Sequence, residues 1–269
     1  MVRCVLALVA VLGLAAGTMS AYAGKANDTL VYASDNEVEN VSPYHNNMRE
    51  GVILASMAWD TLIYRDQKTG EYKPQLATAW KWESPTALLL TLRQGVSFHN
   101  GDKFSADDVV YTFNVVTAAD AKIATRQNTD WIGNAEKVGE YQVRINLKTP
   151  FPAALEYLAG PTPIYPAAYF KKVGLEGYSK APVGTGPYKI TAVVPGQGVT
   201  MLKNTAYYKD SPLGQPRIGT VKFVIVRDPE ARAAQLMTGA VDWIWRVPPG
   251  RARSRTSPCR CAAGRVGCP

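Results

Sequence analysis

The side chains that could do chemistry are few and scattered. Asp107-Asp108 is an adjacent acid pair of the kind that can divide proton transfer between two carboxyls. His45 and His99 are the only histidines, and Cys259-x-Cys261 with Cys268 is a thiol set that invites a zinc reading. None of these matures into a site. Ser105 stands three residues before Asp108, the spacing of a capping box, so the acid pair reads as the start of a helix. The histidines lie far apart in the chain, and the cysteines lack a fourth nearby ligand. Ser-x-x-Lys, Gly-x-Ser-x-Gly, His-Glu-x-x-His and the Walker loop are all absent. The expectation is a protein that binds rather than catalyses, with no catalytic residue, no metal site and no cofactor.

The two ends of the chain differ from its body. Residues 1–23 carry Arg3, an apolar run from Val5 to Ala16 and then Ala21-Tyr22-Ala23, a small-x-small cleavage pattern. The run is shorter than the ~20 residues that span a bilayer, so it predicts a cleavable signal peptide and a periplasmic product. Cys4 precedes the apolar run and is not placed to carry a lipid. Residues 251–269 hold Arg251, Arg253, Arg255, Arg260, Arg265 and three of the four cysteines, with no acid after Asp242. Taking away those five arginines and Arg3 leaves about +2 of the formal net charge of +8, too little for a basic face that binds nucleic acid. Without Leu, Ile or an aromatic, that last stretch cannot bury a face. It predicts an unstructured Arg- and Cys-rich tail, read as out-of-frame translation of a GC-rich gene, with an ordinary disordered basic tail as the alternative.

Between these ends, periodicity predicts a mixed α and β fold with antiparallel pieces. Residues 29–34 alternate as a first strand, and residues 51–59 form a short helix. Segments 62–64 and 72–74 flank a polar, Gly-ended hairpin connector, and residues 88–92 make another strand. Asn100-Gly101 between Val96-Ser97-Phe98 and Phe104 predicts a type I′ turn. Ser105 then opens a helix whose Val109, Phe113 and Val116 share one apolar face. Residues 141–147 and 220–226 read as strands, 151–159 as a helix, and Asp228-Pro229 as a helix start stopped by Gly239.

On this frame lie the runs Pro74-Gln75-Leu76-Ala77-Thr78-Ala79-Trp80 and Leu92-Arg93-Gln94-Gly95-Val96-Ser97-Phe98-His99-Asn100-Gly101-Asp102-Lys103-Phe104-Ser105-Ala106-Asp107-Asp108-Val109-Val110-Tyr111. Later come Pro182-Val183-Gly184-Thr185-Gly186-Pro187-Tyr188 and Gly239-Ala240-Val241-Asp242. Together they resemble the family 5 extracellular solute-binding proteins, the receptors of peptide-type ABC importers, over roughly residues 29–249. Read physically, Gly184 and Gly186 permit a tight turn that Pro187 stiffens, and no helix follows to make a phosphate loop.

The resemblance implies a periplasmic-binding-protein-like lobe with an added subdomain. The expected first lobe spans residues 24–250, built from about 24–45 and 181–250, with an inserted subdomain of about 46–180. It implies a monomer that captures a small solute, with peptide the leading class, and docks on a membrane permease, with no nucleic acid partner. The second lobe is expected to be missing, which would leave the receptor truncated and impaired in capture; an inactive fragment and a basic-tailed nucleic-acid-associated protein are the alternatives. By analogy of place, Asn47, Met48 and Arg49 in the loop after the first strand are candidate ligand contacts. Trp243 and Trp245, at the expected crossover between lobes, and Trp131 are candidate stacking platforms.

Overall fold

The computed structural model describes residues 25–38 and 40–247. The expected signal peptide and the Arg- and Cys-rich tail lie outside the described residues.

Three sheets organise the described residues. The largest has five strands, β1 (Thr29–Ser34), β8 (Tyr188–Val194), β9 (Gly198–Lys203), β10 (Thr220–Ile225) and β11 (Trp243–Ile244), in the order β11-β1-β10-β9-β8. β1 runs parallel to both β10 and β11, whereas β8, β9 and β10 are antiparallel neighbours, so the sheet is mixed. A second sheet of four antiparallel strands is ordered β4-β5-β7-β6, from β4 (Ala77–Ser84), β5 (Ala87–Leu92), β6 (Ile132–Gly139) and β7 (Gln142–Leu147). The hairpin of β2 (Ile63–Arg65) and β3 (Tyr72–Pro74) stands apart. The chain is thus a mixed α/β protein. The five-stranded sheet draws on residues 29–34 and 188–244, and the other two sheets on residues 63–147.

The helices cover these sheets. α1 (Arg49–Ala58) follows the first strand and its loop, and α2 (Ala106–Thr117) lies on β6 and β7. In α2 the Ser105 side chain accepts from the Asp107 N–H while the Asp108 carboxylate accepts from the Ser105 N–H, a complete capping box. Val109, Phe113 and Val116 on one face of α2 are fully buried, each contributing roughly 1.5–3 kcal/mol. Asp108 also accepts from the Ala167 N–H at 2.8 Å, so the cap ties α2 to α4 (Ala167–Lys180), a helix interrupted at Gly174, where φ is 65°. α3 (Ala154–Leu158) is short, and α5 (Pro229–Thr238) is capped by Asp228 and stopped by left-handed Gly239.

One expectation about turns is corrected. Asn100-Gly101 does not form a type I′ turn, because only Gly101 has positive φ. The Phe98 N–H donates to the Asp102 carbonyl and the Gly101 N–H to the Phe98 carbonyl, leaving a three-residue loop of His99, Asn100 and Gly101. Gly184 and Gly186 are required for proximity and not for a special φ. A Cβ at Gly184 would lie 2.0 Å from the Ala58 carbonyl oxygen, and one at Gly186 would lie 2.6 Å from the Ala58 carbonyl carbon. The turn therefore lies directly against the end of α1.

Candidate functional site

His99 shows what the signature hairpin does. Its Nε2 lies 2.9 Å from the Gly186 carbonyl, which only a protonated Nε2 can serve, and its Nδ1 accepts from the Gly184 N–H at 3.3 Å. The ring is a clip between the hairpin and the turn behind α1. Burial lowers its pKa to about 4, so the imidazole is neutral at pH 7. His45 lies elsewhere, against the Ser42 hydroxyl. No group of three or more His, Cys, Asp or Glu that could hold a metal occurs among the described residues.

The clip and the turn seat α1, and beside α1 opens a cavity of about 690 Å³. Its walls are the outer face of α1 (Val52, Ala55, Ser56), the preceding loop (Pro43, Asn46, Asn47) and the floor residues Trp59, Thr61 and Gln75. The β2–β3 hairpin contributes Tyr64 and Arg65, and residues 125–128, 159–163 and Leu213 close the sides. The amide of Asn46 is fixed, receiving the Met48 N–H at 2.8 Å and donating to the Asn40 carbonyl at 2.6 Å. Gly51 makes room for it, since a Cβ there would lie 2.5 Å from the Asn46 side chain. Asn47 is exposed, and its amide has no hydrogen bond among the described residues. The one charge on the wall, Arg65, is paired with Glu156 at 3.1 Å. The lining is otherwise amides, hydroxyls and apolar carbon, suited to neutral hydrogen-bonding groups rather than to a lone charge.

A second cluster adjoins it at the carboxyl ends of the parallel strands β1 and β11, where open α/β sheets commonly present ligands. Arg49, the first residue of α1, pairs with Asp35 at 3.0 Å and with buried Glu50, whose carboxylate also receives the Ser34 hydroxyl. Desolvation raises the Asp35 pKa, but its own backbone N–H and Arg49 outweigh that and hold it below the usual range. The Arg49 guanidinium stacks on Trp245, 4.2 Å from the ring centroid. Trp243 meets Tyr32 edge-on at 5.7 Å and remains 59% exposed; Trp245 is 40% exposed. β11 owes its place to Asp242, whose carboxylate accepts from the Val31 N–H at 2.8 Å while its own N–H donates to the Val31 carbonyl at 2.9 Å.

The structure thus brings Asn47 to the cavity and gathers Arg49, Trp243 and Trp245 in one cluster, with exposed Met48 between them in sequence. Trp131 lies apart, buried at 8% exposure, stacked on Phe151 at 5.2 Å with its N–H donated to the Asn128 carbonyl. Missing from the sequence reading were Asp60 and Gln75 beneath the cavity and Arg65 on its wall. Asp60 had a signal, since an acid between Trp59 and Leu62-Ile63 must be buried with partners.

Residues 71–256, more than half of the chain, match the model of bacterial extracellular solute-binding proteins, family 5 Middle. The chain is 28% identical over 202 residues to the oligopeptide-binding protein AppA of Bacillus subtilis (strain 168), covering 72% of this chain and 36% of that protein. It is 33% identical over 162 residues to the glutathione-binding protein GsiB of Pectobacterium atrosepticum, covering 58% of this chain and 30% of that protein. The solved structure of Bacillus subtilis AppA in complex with a nonapeptide superimposes with a TM-score of 0.74 at 26% identity, over 86% of this chain and 45% of that one. The chain spans less than half the length of each of these relatives. With the signature hairpin, the clip and the mixed sheet in place, the chain belongs to the family 5 bacterial extracellular solute-binding proteins.

Proposed function

We propose that this chain supplies a solute-contacting wall of the receptor component of an ABC-type importer, exported to the periplasm, with a short peptide as its solute. The observation that carries this reading is the cavity of about 690 Å³, within the range of small-ligand sites, whose lining pairs backbone-like amides with apolar carbon and leaves its one charge neutralised. A peptide's amides and side chains match that lining. The oligopeptide and glutathione named for the relatives, and the nonapeptide bound to one of them, support the same class.

In this reading Asn47 faces the solute with a free amide, and Met48, Arg49, Trp243 and Trp245 form an adjoining aromatic and cationic rim. Trp131 serves packing and stays outside the site. Residues of about 24–45 and 181–250 form the lobe proper, and residues of about 46–180 the added subdomain. The receptor is a monomer that delivers solute to a membrane permease, and its role is binding rather than catalysis. Calorimetry with uncharged-side-chain di- to pentapeptides tests the reading. Binding that weakens in Asn47→Ala and leaves Trp131→Phe unaffected is expected; equal binding by both variants, or a preference for free ions over peptides, would refute it.

A further inference from the structure

β8 is the last strand of the five-stranded sheet and pairs on one side only, with β9. A second cavity, of about 360 Å³, is lined by its residues Lys189, Ile190, Thr191 and Ala192. Side chains of a strand alternate between its two faces, so a cavity on one face would meet every second residue. Four consecutive residues put this cavity along the free edge, where a strand presents unpaired N–H and C=O groups. The rest of the lining comes from α4 and the turn after it (Tyr169, Lys180, Val183) and from the signature loop (His99, Asn100). These parts are tied down, because the Tyr169 hydroxyl donates to the Ala181 carbonyl and the His99 N–H to the Gly184 carbonyl, each at 2.8 Å. No residue is shared with the cavity beside α1.

The charge on this lining is of one sign, since Lys180 and Lys189 belong to it and no Asp or Glu does. Lys180 is engaged with Glu176 at 2.7 Å in an exposed i, i+4 pair. Half-buried Lys189 has no acid partner among the described residues, and its ammonium donates to the His99 carbonyl at 3.5 Å. An ammonium has three donors, so the others are open to an incoming anion. β8 is also irregular: Ile190 faces Met201 and Ala192 faces Thr200, which leaves Thr191 as the extra residue of a bulge. A bulge and a lysine on an edge discourage pairing with a like strand, and a second copy of β8 would bring its own Lys189 and bulge. A strand that carries a carboxylate meets the same lysine as a partner.

We propose that the free edge of β8 is a docking groove for an extended, acidic peptide segment of a partner protein, which adds as a strand beside residues 189–192 and sets a Glu or Asp carboxylate against Lys189. Main-chain hydrogen bonds to the edge supply affinity, and the carboxylate supplies selection and register. At about 3.3 Å per residue the edge spans roughly 13 Å, the reach of about four extended residues. The groove does not depend on the cavity beside α1 being the solute-facing wall.

The test is a backbone-amide NMR titration of the whole chain with the blocked peptide Ac-Val-Glu-Val-Thr-NH2. It is repeated with Gln in place of Glu, and with each of the two alternate sets of peptide amides N-methylated. The amides of residues 189–192 should shift and saturate in Asn47→Ala as in the wild type, since Asn47 belongs to the other cavity. The Gln peptide should bind at least about threefold more weakly, and Lys189→Gln should remove that preference while its circular dichroism stays native. One N-methylated set should bind about tenfold more weakly, having lost its hydrogen bonds to the edge. The proposal is overturned by still amides at residues 189–192, by equal affinity for the Glu and Gln peptides, or by a preference that survives in Lys189→Gln. Both N-methylated peptides binding as tightly as the parent would also overturn it, in favour of a site for a free carboxylate. Shifts confined to the surroundings of Asn47 would support the solute reading and sink this one, whereas failure of solute binding beside α1 would leave the groove standing.

Discussion

Two buried groups, Asp60 and His99, titrate in the same acidic range with opposite effects on stability. Burial raises the Asp60 pKa from 3.8 to about 6, so the folded state holds that proton more tightly than the unfolded chain does. Stability from this group is therefore gained as pH falls from about 6 to about 4. Burial lowers the His99 pKa from 6.5 to about 4, so the folded state refuses a proton that the unfolded chain accepts. Stability from this group is lost as pH falls from about 6.5 to about 4. Each displacement corresponds to about 3 kcal/mol. The two contributions nearly cancel in the wild type, and single variants should expose them. Asp60→Asn keeps the shape and removes one titration, so its stability relative to wild type should drop by about 3 kcal/mol between pH 6.5 and 4. His99→Gln should gain about as much over the same interval, from a lower starting point because its clip is weakened. For a chain of this size the swings correspond to roughly 6–12 °C in Tm. Calorimetric melting at half-unit pH steps reads both, and the other carboxylates are common to all three proteins and cancel in the differences. Parallel curves for the three proteins across this window would refute the reasoning.

Three further outcomes follow from the geometry. Gly186→Ala places a Cβ 2.6–2.8 Å from the backbone of residues 57–59 and strains the Gly186 N–H bond to the Ala58 carbonyl; it should destabilise by about 2–4 kcal/mol in urea unfolding, whereas Gly139→Ala, with its nearest neighbour at 3.7 Å, should cost about 1 kcal/mol or less. Arg49→Met leaves buried Glu50 without its cation and should cost about 3–5 kcal/mol, with Glu50→Gln in the same chain restoring part of the loss. Ser105→Ala removes the hydroxyl of the capping box and should cost about 1 kcal/mol in thermal melting.

The elements that could be read from sequence are those whose cause is local. Thr29–Ser34 is a strand as its alternation implies, the Ser105 box starts α2, and Asp228 and Gly239 bound α5, because caps and periodicity act within a few residues. Elements with a weaker local pattern were missed. β9 is named by its pairing with β8 and β10 more than by its residues, and α4 is interrupted by a left-handed glycine and carries Val, Gly and Tyr where a stronger helix would carry Leu or Ala. The Asn100-Gly101 pair marked a turn correctly and its type wrongly, since the register across Ser97 and Lys103 leaves three loop residues instead of two.

Sequence alone thus determined that this is a mixed α/β chain with the family 5 signature and with no recognisable catalytic motif, because residue types and their local spacing are enough for that. Tertiary structure decided which side chains meet. Asn46, Gln75, Pro163 and Leu213 share one cavity, and Asp60 finds Tyr207 across 147 positions of chain, through packing contacts that local spacing does not encode. The same packing turned His99 from a possible ligand into a clip and Trp131 into core, since the fate of a polar or aromatic side chain depends on what the fold places against it.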